Sequence, residues 1–483
     1  MLWLALSFPR LSLDVFARGT PASEPLAVTS SAGTDAEVIA CNRAAQRCGV
    51  RPHMPLAAAW ALVANLRAVT RDVAAERAAL ERIAAWAIQF TSTVSIAAPN
   101  GVLLEIAGSL KLFGGLASLW ARIERGIAAL GYESAVACAP TPLAARLFAR
   151  ARLAVRIRNA DALRLALEPL PLETLGWPAR SVATLRDAGI HTIGACFALP
   201  RAGLARRLGQ HLLDDLDRAL GCLADARPVF IPAANFTSSL ALPAPAQEAE
   251  PLIFATRRLL AELCGWLAAT GQGVQRLRLA LAHEDRADTR IALELAAASR
   301  DPEHLVTVLR ERFARVNLAS PAVAITLTAE RVTALAARNL AFLPDEQSRA
   351  ETVARLIERL RARLGDESVR GLNTVADYRP ELAWRVCEPD GKHCMDALGP
   401  ASASSRPLWL LASPAPLTEA AATPCYDGPL TLVAGPERIE SGWWDGNDVA
   451  RDYFIARNPT EALFWIYREC HAGGGWFLHG FFG

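Results

Sequence analysis

The chain begins MLWLALSFPRLSLDVF (residues 1–16), and the reading of its first ten residues decides the fold. Leu2, Trp3, Leu4, Ala5 and Leu6 form an unbroken apolar run of the kind that fills a strand buried on both faces. Ser7, Phe8, Pro9 and Arg10 end it. An enzyme built on such a strand often carries a carboxylate at its exit, and this chain carries a serine there.

Working outward, residues 17–75 read as largely helical, with AEVIACNRAAQRCGV and PLAAAWALVANL as two segments around an RPHMP turn. AAERAALERIAAWAIQF is a further helix. TSTVSIAAPNGVLLEIAG reads as two strands about an APNG turn, with Asn100 and Gly101 as the hairpin signal. SLWARIERGIAALG is an amphipathic helix and ESAVACAP a short strand. Together these predict an α+β unit with a mostly antiparallel sheet.

At 483 residues the chain exceeds one core, so three or four domains of about 100 to 200 residues each are expected. Its 52% hydrophobic content is mostly dispersed alanine, and no stretch reaches the eighteen or so apolar residues of a membrane-spanning helix. The N-terminal run is too short for a signal peptide and lacks a basic region before it, which points to a cytoplasmic protein. Ten cysteines lie scattered without a CxxC pair, as reduced and mostly buried thiols do. Cys387, His393 and Cys394 in CEPDGKHC match no common zinc spacing, so neither a metal nor a cofactor is expected. Basic residues are nearly all arginine, with lysine only at Lys111 and Lys392. Between residues 141 and 232, 13 Arg stand against 8 Asp plus Glu, a net of +5 that is compatible with phosphate contact.

From 166 to 232 short helices alternate with tight turns in two units, one built on Gly176 and the GIHTIG turn at Gly189, the other on LPRAGLARRLG. Glycine turns at helix starts can hold a phosphate, although an all-α linker domain has the same pattern. Residues 233–345 predict a small α/β sheet domain in which Arg276 and Arg278 alternate with Leu277, Leu279 and Leu281. Those arginines either face solvent or lie along a nucleic-acid backbone. A helix opens the segment 346–425, which continues as a proline-rich linker. Residues 426–483 predict an aromatic, β-rich module, either packed on its own core or presenting Trp443, Trp444, Trp476 and Phe477 to a partner.

Several of these segments together resemble the Y-family, or lesion-bypass, DNA polymerases over about residues 1–345. CNRAAQRCGVRPHMPLAAAWAL is similar to the fingers motif, GVLLEIAGSLKLFGG and ACAPTPLAARLFA to palm motifs, and the two glycine-turn units to the thumb. The resemblance implies a palm at 1–20 and 76–165, fingers at 21–75, a thumb with two helix-hairpin-helix-like units at 166–232 and a little finger at 233–345. It also implies where a pair of magnesium ions would be held, by carboxylates. The family's first metal aspartate falls on Ser7 and its neighbour on Pro9; the adjacent Asp and Glu of the hairpin fall on Asn100 and Gly101. The triphosphate-binding Tyr and Arg fall on Arg43 and Gln46, the palm lysine on Pro142, and the residue that excludes ribonucleotides on Ser12. Asp14 and Glu105 are the carboxylates that an active enzyme would have to use instead.

A polymerase framework without its ligands resembles ImuB-type proteins, the non-catalytic members of this family in the bacterial mutasome. RIESGWWDGNDVARDYFIARN and the terminal GWFLHGFFG carry that likeness in the tail. It implies a hub that binds DNA and the sliding clamp and gathers ImuA and an error-prone C-family DNA polymerase for translesion synthesis. By family position, Gly176, Gly189, Gly203, Arg206, Arg207 and Gly209 would meet backbone phosphates, with Arg276 and Arg278 beside them. In SSRPLWLLA, Pro407, Leu408, Trp409 and Leu410 match the latter half of a clamp-binding peptide, while Ser405 and Arg406 replace its start; a strand packed on the last module would have the same pattern. Asp445, Asn447 and Asp448 lack the glycine and terminal glutamate of an EF-hand loop.

Overall fold

The apolar run forms β1 (Trp3–Ser7), buried along its whole length. The computed structural model describes residues 1–18, 23–33, 35–335, 346–389, 406–471 and 474–482, in two units, 1–343 and 344–483. Among the described residues no helix is long and apolar enough to cross a membrane.

After Pro9 the chain turns into α1 (Leu11–Ala17), which places Asp14 on a helix rather than further along a strand. β2 (Leu26–Thr29), β3 (Val38–Cys41), α2 (Arg43–Arg47), α3 (Leu56–Leu62) and β4 (Arg67–Thr70) follow. The three strands form one sheet in the order β3-β2-β4. This corrects the expectation of a largely helical 17–75. Val38 and Ile39 are β-branched, as strands favour, and Val38, Ala40 and Cys41 pair with β2. Asn42 then ends the strand and caps α2, its side chain accepting from Ala45 N (2.9 Å) and Leu26 N (3.1 Å).

The main sheet of this unit is assembled from β1, β5 (Val94–Ala97), β6 (Gly101–Glu105) and β7 (Ala135–Ala139), antiparallel throughout in the order β5-β6-β1-β7. α4 (Val73–Ala87), α5 (Leu116–Leu130) and α6 (Pro142–Arg150) cover it. Alternation along the strands divides the residues between two cores. Leu4, Leu6, Val102, Leu104 and Val136 pack with the α4 and α5 side chains; Ala5, Leu103 and Ala137 pack with α6 and the helical region that follows. That region comprises α7 (Leu163–Leu167), α8 (Ala179–Asp187), α9 (Ile193–Phe197), α10 (Arg201–Leu208) and α11 (Gln210–Leu220). It shares one apolar core with the sheet through Leu163, Leu172, Trp177, Leu213 and Leu216.

A second antiparallel sheet, in the order β10-β9-β11-β8, is made of β8 (Thr237–Ala246), β9 (Gln272–His283), β10 (Thr289–Ser299) and β11 (Ala322–Ala334), with α12 (Ala249–Thr270) and α13 (Pro302–Phe313) beside it. α12 also packs on α4 and α5. There Trp86 lies between two glycines: a Cβ at Gly126 would stand 2.2 Å from the indole and one at Gly265 2.3 Å from it. Beside it, Arg18 Nη2 donates to Glu262 Oε1 at 2.5 Å with both side chains 2% exposed. Arg18 also donates to Leu130 O and Tyr132 Oη, and Ser238 Oγ donates to the other Glu262 oxygen at 2.5 Å.

The second unit opens with α14 (Glu346–Leu364) and the hairpin β12 (Gly371–Thr374) and β13 (Trp384–Cys387). β14 (Trp409–Pro416), β15 (Thr418–Ala420), β16 (Thr423–Cys425), β17 (Thr431–Ser441), β18 (Val449–Arg457), β19 (Leu463–Glu469) and β20 (Trp476–Phe481) follow. Five strands form one sheet in the order β14-β20-β19-β18-β17. Its first strand starts at Trp409, not after 425, because β14 pairs with β20. The segment read as a linker therefore supplies part of the sheet. His393, Cys394 and Ser405 lie outside the described residues.

Candidate nucleic-acid interface and the sheet end at Ser7

Ser7 is buried and pairs with Gly101 on one side and Ala135 on the other. By alternation it shares the α6 face of the sheet with Ala5 and Trp3. Phe8 N donates to Asn100 O at 2.8 Å, and the Asn100 amide turns back toward Phe8 O at 3.4 Å, so this side chain braces the turn. A Cβ at Gly101 would lie 3.2 Å from the carbonyl oxygens of both Ala97 and Leu6, closer than most side chains sit. Pro9 is exposed just beyond the strand.

Neither alternative carboxylate completes a metal site. Asp14 is buried on α1 and accepts the Glu133 N–H at 3.2 Å. Burial pushes its pKa up to about 6, moderated by that hydrogen bond and by Arg10. Glu133 is itself paired with Arg10 at 2.8 Å. Glu105 is at the far end of β6, four residues or about 13 Å from Gly101. There it accepts Leu2 N at 2.9 Å. Among the described residues no three His, Cys, Asp or Glu side chains are grouped to hold a metal ion. What reaches the β5–β6 turn instead is a cation: Arg146 Nη2 donates to Ala98 O at 2.6 Å. A serine, an asparagine and a glycine beside a guanidinium do not fit a pair of magnesium ions, which need carboxylate oxygens.

The glycines singled out in the helical region occupy different conformations. Gly176, Gly189 and Gly209 have φ of +70, +80 and +100°, as turns require, whereas Gly203 is inside α10 and makes no turn. Their N–H groups are already used: Gly176 donates to Glu173 O, Gly189 to Arg186 O, Gly203 to Pro200 O and Gly209 to Ala205 O. A phosphate here would meet side chains rather than these amides. Arg206 and Arg207 are exposed in the last turn of α10, Arg43 and Gln46 are exposed on α2, and Pro142 starts α6. Ser12 lies on α1.

Arg276 and Arg278 emerge from β9 on the side opposite the buried Leu277 and Leu279, and both pair with Glu330 of β11, at 3.0 and 3.1 Å. Arg331 pairs likewise with Glu294. The strand face is thus a mixed-charge surface on which one carboxylate offsets two arginines, which alternation along β9 could not reveal.

In the second unit Pro407 is buried, Leu408 is 104% and Trp409 71% exposed, and Leu410 packs beside Tyr453 and Trp465. Strand pairing and exposure coexist in this peptide. Trp443 and Trp444 are 79% and 56% exposed and meet edge to face at 5.4 Å. Trp476 and Phe477 differ from them: Trp476 packs against Phe454 and Phe477 stacks on Tyr467 at 5.2 Å, so both serve the sheet's own packing. The tryptophan loop is pinned by Arg379, which sequence reasoning did not identify. Its guanidinium holds Asp377 at 2.7 Å and Asp445 at 2.7 Å, and donates to Asn447 O at 3.1 Å. Asp445 is therefore an ion-pair partner, and Asp448 faces His471 at 3.4 Å.

The impB/mucB/samB family model matches residues 15–150. Protein ImuB of Caulobacter vibrioides (strain NA1000 / CB15N) is 30% identical over 462 residues, covering 90% of this chain and 100% of that protein. Among solved structures, DinB from Sulfolobus solfataricus is 17% identical and aligns over 68% of this chain and 98% of that one with a TM-score of 0.40. An insertion ternary complex of Dbh DNA polymerase is 15% identical over 69% and 100% of the two chains, again at 0.40.

Proposed function

The chain belongs to the ImuB family of Y-family polymerase-like proteins, and from that premise we propose that it serves DNA damage tolerance as a scaffold without polymerase activity of its own. One observation carries the reading: the sheet end where the family's metal ligands would stand holds Ser7, Asn100 and Gly101, with Arg146 bonded to the adjoining turn. A cation at that end opposes the binding of divalent ions, so the scaffold keeps its shape without the chemistry.

In this role the chain binds DNA without sequence readout, chiefly through arginines on α10 and β9. It docks the sliding clamp through Leu408 and Trp409, whose exposure on a sheet edge supports such a contact. The pinned Trp443–Trp444 loop is the surface for ImuA or the error-prone C-family polymerase, since exposed tryptophans held in a fixed loop suit a partner interface. Such a hub would act in the cytoplasm in mutagenic translesion synthesis during the SOS response. Pull-down of purified sliding clamp by the full chain tests the adaptor role: retention by the wild type and loss with Leu408→Ala/Trp409→Ala is expected. Equal retention by both would remove this peptide from the interface, and no retention by either would remove the clamp from the scheme.

A further inference from the structure

Three arginines meet where the Ser7 end of the sheet joins the helical region. Arg146 and Arg150 are four residues apart on α6 and so share a face of that helix. Arg146 reaches Ala98 O in the β5–β6 turn at 2.6 Å. Arg150 lies against Gly176, so near that a Cβ there would stand 2.2 Å from Nη1. Gly176 thus admits a guanidinium at this crease, a second reason for a glycine beyond its φ of +70°. Arg227 lies within electrostatic reach of Arg146, and its Nε is buried without a hydrogen-bond partner.

The surrounding carboxylates offset this group only in part. Asp225 is held by Arg227 at 2.7 Å and Asp215 by Arg218 at 3.0 Å. Among the described residues no carboxylate pairs with Arg146 or Arg150. Burial lowers the pKa of both guanidiniums, and for Arg146 the neighbouring Arg150 and Arg227 add to the effect while Asp225 and Asp215 oppose it. Half-buried cations without a directly paired carboxylate are poorly solvated, and a phosphate would offer each of them short, charge-assisted hydrogen bonds.

We propose that Arg146 and Arg150, backed by Arg227, form a phosphate site at the crease between the main sheet and the helical region, and that it takes a backbone phosphodiester of DNA. The inference rests on the scaffold reading and gives that scaffold a specific hold on DNA beside the turn that adjoins the Ser7 end of the sheet. A phosphodiester, with one negative charge, suits three arginines partly offset by Asp225 and Asp215 better than a nucleoside triphosphate, which carries more charge and normally arrives with magnesium.

The test is fluorescence anisotropy of the full chain with a labelled primer–template duplex between about 50 and 200 mM salt, on wild type, Arg150→Gln and Arg150→Lys. Arg150→Gln is expected to weaken binding about tenfold and to reduce the log–log salt slope by about one. Arg150→Lys should keep the wild-type slope, and Arg150→Gln should melt no lower than wild type, because it removes an uncompensated cation. Unchanged affinity and slope in Arg150→Gln would overturn the site while leaving the scaffold reading intact. A second arm measures the thermal shift given by inorganic triphosphate. If Arg150→Gln abolished that shift without altering duplex binding, the site would belong to free phosphates and the backbone assignment would fall. Failure of the wild-type chain to bind duplex would instead overturn the scaffold reading itself.

Discussion

Replacing Glu262 by Gln should release α12 from α4 and α5. Glu262 is 2% exposed, pairs with Arg18 at 2.5 Å and accepts Ser238 Oγ at 2.5 Å. The amide keeps the shape but removes the charge, leaving Arg18, also 2% exposed, without its counter-ion. Breaking a buried pair from one side costs about 3–5 kcal/mol, whereas replacing both partners by apolar residues is often nearly neutral. Hydrogen exchange of peptides from α12 reads this locally, without requiring the whole chain to unfold in one step. Glu262→Gln is expected to speed exchange there by about two to four decades, and Arg18→Met/Glu262→Leu to recover part of the protection, since Ser238 and Arg82, 3.5 Å from Glu262, also lose their partner. Exchange in Glu262→Gln equal to wild type, or a double variant worse than either single one, would refute the view that this pair holds the second sheet domain in place.

Other consequences are as direct. Burial pushes the Asp14 carboxyl up to about 6 from its ordinary 3.8, so the folded chain binds more protons and its stability falls as pH rises from about 4 to 6. Asp14→Asn should therefore stabilise by up to about 3 kcal/mol at pH 8 and by little at pH 4, and equal shifts in melting temperature at both would contradict the assignment. Arg379→Met should loosen residues 442–448, seen as faster exchange in that loop and red-shifted tryptophan emission, because Asp445 and Asn447 lose their common donor. Leu408→Ala/Trp409→Ala should leave the melting temperature within about 0.5 kcal/mol equivalent of wild type, since both side chains stand in solvent.

What could be read from the sequence was what short-range pattern encodes. The Leu2–Leu6 run, the turn at Asn100 and the alternation of β9 each carry their periodicity within a few residues, and each lies in the strand or turn expected of it. β3 was hidden because Ala and Cys beside Val38 and Ile39 suit either state and only pairing with β2 decides. β14 was hidden because proline punctuation resembles a linker until β20, more than sixty residues later, supplies its partner. Site electrostatics were the least legible. Arg276 and Arg278 looked free because Glu330 is on another strand, Arg18 finds Glu262 across 244 positions, and Arg379 finds Asp445 across 66. Arg146 and Arg150 were in plain view in ARLFAR. Their i, i+4 spacing placed them on one helix face, but only the fold brings that face to Ala98 and Gly176.

Primer extension most directly tests the claim that this is a scaffold and not an enzyme. The purified chain, given magnesium, all four nucleotides and a primer–template, should leave the primer unextended at any protein concentration. Template-directed extension by the wild type that disappears in Asp14→Asn, a variant expected to be at least as stable, would show that a displaced carboxylate supports catalysis and would contradict the account.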